Sequence, residues 1–282
     1  MNTDTLKIFI TVAQAGSISS AAQQLGYAQS NISTKVQQLE AALNTQLFHR
    51  TNRGIHLTAT GQQLFDQAIQ IVQLTEKAIA DIQHPHEVRG QLRIGTLQTA
   101  ASTFLPPILS AYHQHYADVN LTIQTGTTLA NAQRVANYQL DGAIIGGQVS
   151  DHALTCLPLM QESLCLITAN STNTDITQQP MLVFPVGCAY RQTLTRWRDA
   201  QQLPIPQPIE FDYLNAIIAS VSAGLGISIL PQRVVQPYLD AGAIRAETLP
   251  DAFSTLPISF IYRTDAVMAP PLECFIKQIK SF

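Results

Sequence analysis

The first 58 residues constrain this chain most, because three short helical patterns separated by Gly16 and Gly26 lead into a glycine-centred hairpin. Leu6, Phe9, Ile10 and Ala13 lie three and four apart and mark the buried face of a first helix. Gly16 ends it. Ser17 or Ser19 is placed to cap a second short helix carrying Ala21, Ala22 and Leu25, since a side-chain oxygen there satisfies free N–H groups. Gly26 makes the next turn, where a residue without Cβ takes positive φ at no steric cost. In the third helix Ile32, Val36, Leu39 and Leu43 fall within roughly 60° of arc.

The outer face of that third helix is polar, short-chained and almost uncharged: Ser30, Ser33, Thr34 and Gln37, with Asn31 and Lys35 at its margin. A merely solvated helix usually carries Glu–Lys pairs. Ser, Thr, Asn and Gln instead donate to and accept from base edges in a major groove. The stretch from Thr45 to Thr58 then gives two β-like pieces flanking Asn52-Arg53-Gly54, a hairpin of the wing type. Arg50 and Arg53 suit phosphates or a minor groove, where a guanidinium fits both charge and width. Up to Thr58 four basic residues (Lys7, Lys35, Arg50, Arg53) face two acidic ones (Asp4, Glu40), a surplus of two. One copy would hold DNA weakly, because the phosphate contribution scales with the contacts made, so a dimer or larger assembly is expected.

A chain of 282 residues suits two domains with a connector, and 46% apolar residues fill real cores. The net charge is −3, so a nucleic-acid surface must be local. Cys156, Cys165, Cys188 and Cys274 form no C-x-x-C pair, which points to reduced thiols. No basic-then-apolar leader opens the chain, and no apolar run approaches the ~20 residues of a membrane span. The expectation is a soluble, cytoplasmic protein.

The run Phe9-x-x-Val12-Ala13, Gly16-Ser17, Ala21-Ala22-x-x-Leu25, Gln29-Ser30-x-Ile32-Ser33, Gln38-Leu39-Glu40-x-x-Leu43, Leu47-Phe48-x-Arg50-Thr51 and Leu57-Thr58-x-x-Gly61 resembles the DNA-binding signature of LysR-type transcription regulators. The resemblance implies a winged helix-turn-helix over residues 1–58, with Gln29, Ser30, Asn31, Ser33, Thr34, Lys35, Arg50 and Arg53 at double-stranded DNA. Three positions depart from the family pattern: Ala28 replaces a capping Ser or Thr, Ser30 a Pro, and Thr34 an Arg. Without its cap the recognition helix loses roughly 1 kcal/mol, unless another group substitutes.

Residues 59–88 read as one long helix ending in His84-Pro85-His86. Leu64, Ala68, Ile71, Thr75, Ala78 and Ile82 keep a 4-3-4-3-4 spacing, and Phe65, Val72 and Ile79 form a stripe beside them. Two adjacent stripes favour coiled-coil-like pairing with another subunit. The resemblance makes this the linker helix through which such regulators form dimers and tetramers.

Residues 89–282 alternate strand-like runs with helical patterns, as an α/β domain does, so parallel pairing is expected. The strands read are 92–96, 119–124, 142–145, 181–184, 209–212 and 256–262, the last returning the chain to the first unit. Gly95, Leu105-Pro106, Gly126, Leu140-Asp141, Gly224-x-Gly226 and Leu230-Pro231 resemble the family's two-lobed, periplasmic-binding-protein-like effector domain. Ala117 and Gly142 depart from it. The implied fold class is therefore mixed, α+β and α/β, with lobe I near 89–165 and 265–282 and lobe II near 166–264. A small-molecule effector would lie between the lobes, at Thr96, Gln98 and Thr99 on one side and Cys188, Tyr190 and Phe211 on the other. Helix N-termini at 96–99 and 187–190 would aim N–H groups there, which suits a carboxylate or another anion. The plainer roles are a helix cap for Thr99, core for Phe211 and a solvent-facing charge for Arg191.

Two alternatives remain open. Cys188 at a helix N-terminus would make a thiol-based redox sensor, since such a position lowers a thiol pKa. A binding protein or enzyme on the same C-terminal fold would leave residues 1–88 unexplained. No G-x-S-x-G, Walker or dinucleotide motif is present, and the i, i+2 pairs His84/His86 and His113/His115 point their rings apart on a helix. No enzyme activity, cofactor or metal is implied.

Overall fold

A computed structural model describes residues 2–51, 54–83, 87–170, 175–203 and 207–281. The chain divides into two compact units, 1–88 with 266–270, and 89–265 with 271–282.

In the first unit, α1 (Thr3–Ala15) starts at Asn2, whose side chain accepts the Thr5 N–H at 2.9 Å. Its buried face is Leu6, Ile8, Phe9 and Val12; Ile10 and Ala13 are only half-buried, so the face is rotated from the one the spacing suggested. Ser17 caps α2 (Ile18–Leu25), which buries Ala21 and Ala22. Gly26 turns the chain at φ 69°, in the left-handed region that a side chain would strain. In α3 (Gln29–Leu43) the stripe Ile32, Val36 and Leu39 is buried, but Leu43, in its last turn, is 40% exposed. Strands β1 (Phe48–Thr51) and β2 (Gly54–Leu57) pair antiparallel, Phe48 opposite Leu57.

The Thr58 hydroxyl accepts the Gly61 N–H at 2.9 Å and so opens α4 (Ala59–Gln83). A Cβ at Gly61 would collide with the Leu47 carbonyl, so this close approach of helix to hairpin needs glycine. The α4 helix packs on α1 through Phe65, whose ring lies 6.5 Å from that of Phe9; Phe9 in turn lies 5.2 Å from Phe48. Residues 84–86, the expected end of the linker, lie outside the described residues.

The second unit begins with β3 (Gly90–Thr96), α5 (Gln98–Ser102), α6 (Leu105–His115), β4 (Val119–Thr125), α7 (Thr128–Ala136) and β5 (Gly142–Gly146). Proline at the start of α6 lies where a missing N–H costs nothing. The chain then runs through β6 (Leu154–Ala169), β7 (Leu182–Val183), α8 (Ala189–Ala200), β8 (Ile209–Glu210) and α9 (Leu214–Ser222). It closes with β9 (Ser228–Pro231), α10 (Gln232–Asp240), β10 (Ile244–Glu247), β11 (Thr255–Arg263) and α11 (Pro270–Lys280).

The sheet order is β10-β6-β11-β5-β3-β4, with β9 also on β6. Parallel pairing holds for β3 with β4 and β5, and for β7 with β8. Elsewhere the expectation of parallel strands fails, because β6 and β11 pair antiparallel and tie the lobes together. The first part of β6, 154–163, pairs with β11 in lobe I; its last residues pair with β9 and β10 in lobe II. One strand thus serves both lobes, and β11 returns the chain to β5 as the sequence suggested, so residues 255–263 stand in lobe I rather than within the 166–264 span expected of lobe II. The core of lobe I includes Val135, Leu140, Ala143, Ile145 and Ile261.

Candidate functional site

On the first unit the exposed face of α3 is built from the opposite side: burying Ile32, Val36 and Leu39 forces Gln29, Ser30, Asn31 and Thr34 outward, with Ser33 and Lys35 half-buried beside them. Ala28 is the N-cap and makes no side-chain cap bond. The Asn31 N–H instead closes on the Ala28 carbonyl at 3.0 Å, a tight 3-10-type contact. The Thr34 hydroxyl donates to the Ser30 carbonyl at 2.9 Å, so its proton is already engaged within the helix.

Glu40, on the same helix, accepts the N–H groups of Leu47 and Phe48 on one oxygen at 2.8 and 3.2 Å. These charge-assisted bonds fix the hairpin against α3. Arg50 lies in β1 opposite Ile55; Arg53 lies outside the described residues.

In the second unit a cavity of about 350 Å³ opens between the lobes. Leu97, Gln98, Thr125, Gly126 and Thr127 line it from lobe I; Phe184, Pro185, Cys188, Tyr190, Asp212 and Tyr213 line it from lobe II. Gln98 spans the gap. Its amide nitrogen donates to the Asp212 carbonyl, and its amide oxygen accepts the Leu214 N–H at 2.9 Å. A second bridge runs from the Thr99 hydroxyl to the Tyr190 hydroxyl at 2.8 Å, and on to Glu162 of β6 at 2.8 Å. A third joins the Leu129 N–H to the Gly187 carbonyl at 3.2 Å.

The cavity therefore takes in Gln98, Cys188 and Tyr190 and leaves out Thr96, Thr99 and Phe211. Thr96 is the last residue of β3, fully buried, and donates to the Leu97 carbonyl at 3.2 Å. Thr99 is not a cap: Leu97 holds that position, and Thr99 stands behind Tyr190 as its partner. The strand expected at 209–212 stops at Glu210; the Phe211 N–H bonds the Val183 carbonyl at 2.9 Å, and the next two residues reach the cavity instead. Arg191 is turned aside, 3.0 Å from Glu210 and 3.3 Å from the Phe184 carbonyl.

The residues that sequence reading missed share one address. Leu97 follows β3, Thr125 ends β4 with Gly126 and Thr127 after it, and Phe184 and Pro185 follow β7. These are the carboxyl ends of parallel strands, where open α/β sheets bind ligands. Applying that rule to every strand, rather than to two helix starts, finds them.

Burial shapes the electrostatics here. Burial raises the Glu162 carboxyl above its ordinary value, against the lowering effects of the Tyr190 hydrogen bond and the charge of Arg233. Burial also pushes Tyr190 well up, and the Glu162 charge adds to it. Cys188 is the N-cap of α8. The N–H groups of Arg191 and Tyr190 favour its thiolate, but burial outweighs them and the pKa is raised. A reactive thiol needs the opposite shift.

The family described as bacterial regulatory helix-turn-helix proteins of the lysR family matches residues 3–62, and the LysR substrate binding domain matches residues 85–282. The chain is 40% identical to the uncharacterized HTH-type transcriptional regulator YusT of Bacillus subtilis over 279 residues, covering 98% of this chain and 94% of that protein. It is 39% identical to the HTH-type transcriptional regulator GltR of Bacillus subtilis over 285 residues, covering 99% and 96%. Among solved structures, full-length OxyR from Pseudomonas aeruginosa superposes with a TM-score of 0.74 at 19% identity, covering 99% of this chain and 95% of that one. LysG from Corynebacterium glutamicum with bound effector Arg gives 0.69 at 18%, covering 100% and 99%. At such identities the structures establish the fold alone, while the domain matches and the curated relatives establish more: the chain belongs to the LysR family of DNA-binding transcription regulators.

Proposed function

We propose that this regulator reads DNA through α3, with Gln29, Ser30, Asn31, Ser33, Thr34 and Lys35 toward the major groove and Arg50 and Arg53 on the backbone or minor groove. The observation that carries this reading is the uncharged, exposed face of α3 opposite a buried apolar stripe. With the Asn31 and Ile32 N–H groups closed on the Ala28 carbonyl, the uncapped start of α3 offers the N–H groups of Gln29 and Ser30 to a phosphate.

The cleft between the lobes is the effector site, and Gln98, Cys188, Tyr190, Asp212 and Tyr213 line its pocket. An effector acts by binding one lobe arrangement better than another, for ligand control requires differential affinity. The protein works as a cytoplasmic homodimer or homotetramer and carries no catalytic step. Among the described residues no helix is long and apolar enough to cross a membrane.

The test is fluorescence anisotropy on a selected operator and on random duplex, at fixed salt. Gln29→Ala or Ser33→Ala should weaken operator binding by ~1–3 kcal/mol and leave random DNA nearly unchanged. Arg50→Ala should weaken both alike and lower the salt slope by about one. Equal losses on both duplexes for Gln29→Ala and Ser33→Ala would remove α3 as the reading element.

A further inference from the structure

We infer that the cleft takes a cationic ligand, a small molecule carrying a protonated amine on a flat apolar body. The inference rests on reading the cleft as the effector site, and its sign is opposite to the anion that the helix N-termini suggested.

A donor and acceptor inventory of the cavity leads there. Among its lining residues there is one ionisable carboxylate, Asp212, and no Lys, Arg or His. The Asp212 carbonyl is occupied by Gln98, but its carboxylate makes no hydrogen bond or ion pair among the described residues. The neighbouring cations are engaged. Arg191 is held by Glu210 and the Phe184 carbonyl, and Arg134, outside the lining, donates to the Thr125 carbonyl at 3.4 Å.

Two of the neutral side chains in the lining are engaged as well, while Thr125, Thr127 and Tyr213 add hydroxyls that both donate and accept. Both ends of the Gln98 amide are committed to lobe II backbone. The Tyr190 hydroxyl lies between Thr99 and Glu162. Glu162 is 2% exposed and lies behind the Tyr190 wall under the charge of Arg233, so it is not part of the surface a ligand meets. Cys188 is the N-cap of α8 and makes no side-chain cap bond, so the first-turn N–H groups of that helix stand beside its buried sulfur.

What the lining offers a ligand is one free carboxylate as its sole charge, a few hydroxyls, and apolar surface. A carboxylate is an acceptor only and pairs with an ammonium by short, charge-assisted bonds. An anion would meet Asp212 with no cation in the lining to offset the repulsion. Leu97, Phe184, Pro185 and the ring of Tyr213 supply walls for a planar body, and an aromatic face adds attraction for a nearby cation.

The test compares two probes of like shape and opposite charge, tryptamine and indole-3-acetate, titrated calorimetrically into the full-length protein. Two variants accompany them: Asp212→Asn, which removes the charge from an exposed carboxylate without structural partners, and Thr125→Trp, which fills the cavity from the end of β4. Tryptamine should bind at least about ten-fold tighter than indole-3-acetate, the worth of one charge-assisted pair. Asp212→Asn should bring that ratio to about one, and Thr125→Trp should weaken both. Equal or tighter binding of indole-3-acetate that Thr125→Trp abolishes would overturn the charge assignment and leave the cleft as the ligand site. Tryptamine binding that ignores Thr125→Trp would overturn the cleft reading itself. Absence of binding by either probe at millimolar concentration would overturn the inference.

Discussion

Glu162 is the residue at which burial, hydrogen bonding and charge meet. It lies on β6, below the Tyr190 hydroxyl, with one oxygen bonded at 2.8 Å and the other unsatisfied. Its raised pKa means that the folded protein binds a proton that the unfolded chain gives up more readily. That contribution to stability is complete below the ordinary carboxyl value of 4.5 and is lost as pH rises through the folded value. Glu162→Gln keeps an acceptor for Tyr190 and removes the titration. The urea midpoint of the wild type, followed by the single tryptophan Trp197 on α8, should fall between mildly acid and neutral pH more than that of Glu162→Gln. Parallel slopes would contradict it.

Ala28 is the other informative position, an N-cap without a cap bond in extended backbone, φ −68° and ψ 141°. Ala28→Ser should stabilise α3 by ~1 kcal/mol. Slower hydrogen exchange of a peptide covering its first turn would show the gain; unchanged exchange would show that the 3-10 closure already suffices. The missing cap was legible in the sequence, because N-cap chemistry is local. Glu162 was not, because its partner Tyr190, and Thr99 beyond that hydroxyl, are far away along the chain.

At the scale of elements, α4 shows how far periodicity reaches. Two adjacent stripes were legible, but not which one stays inside the subunit. Packing on α1 buries Phe65, Ala68, Ile69 and Val72 and leaves Ile71, Leu74, Ile79 and Ile82 exposed, Ile82 at 81%. Each expected stripe is therefore split between inside and outside, since the platform under α4 is set by tertiary contacts. Thr75, in the expected seam, donates to the Ile71 carbonyl at 2.7 Å, so its hydroxyl needs no partner across an interface.

An exposed apolar row on a 25-residue helix supports the proposal that copies of this chain associate through α4. Leu74→Glu should weaken dimerisation by at least about 100-fold, since burying a leucine from each copy contributes ~1.5–3 kcal/mol apiece. Sedimentation equilibrium measures this, and an unchanged dimer constant would place the interface elsewhere. In β6 the limit of sequence reading was different. Its continuous sixteen residues were read as the end of one unit and the start of the next, because a strand shared by two lobes shows no break in pattern.

For the whole molecule, the class of each unit was legible because its signals are local: glycine-punctuated helices in the first, strand and helix alternation in the second. The antiparallel return of β11 and the composition of the cleft wall depend on contacts between residues far apart in sequence, such as Gln98 with Asp212 and Leu214. A helix proposed to read DNA, an exposed apolar row on α4 and a cleft between two lobes meet in one regulator. A symmetric assembly carrying two copies of α3 binds DNA with matching symmetry. The most direct test is selection from random duplex by the full-length protein, at fixed salt and at a concentration where it is oligomeric. An interrupted palindrome should be enriched, with half-sites one helical turn or a multiple apart. Enrichment of a lone asymmetric half-site, or of no sequence at all, would contradict it.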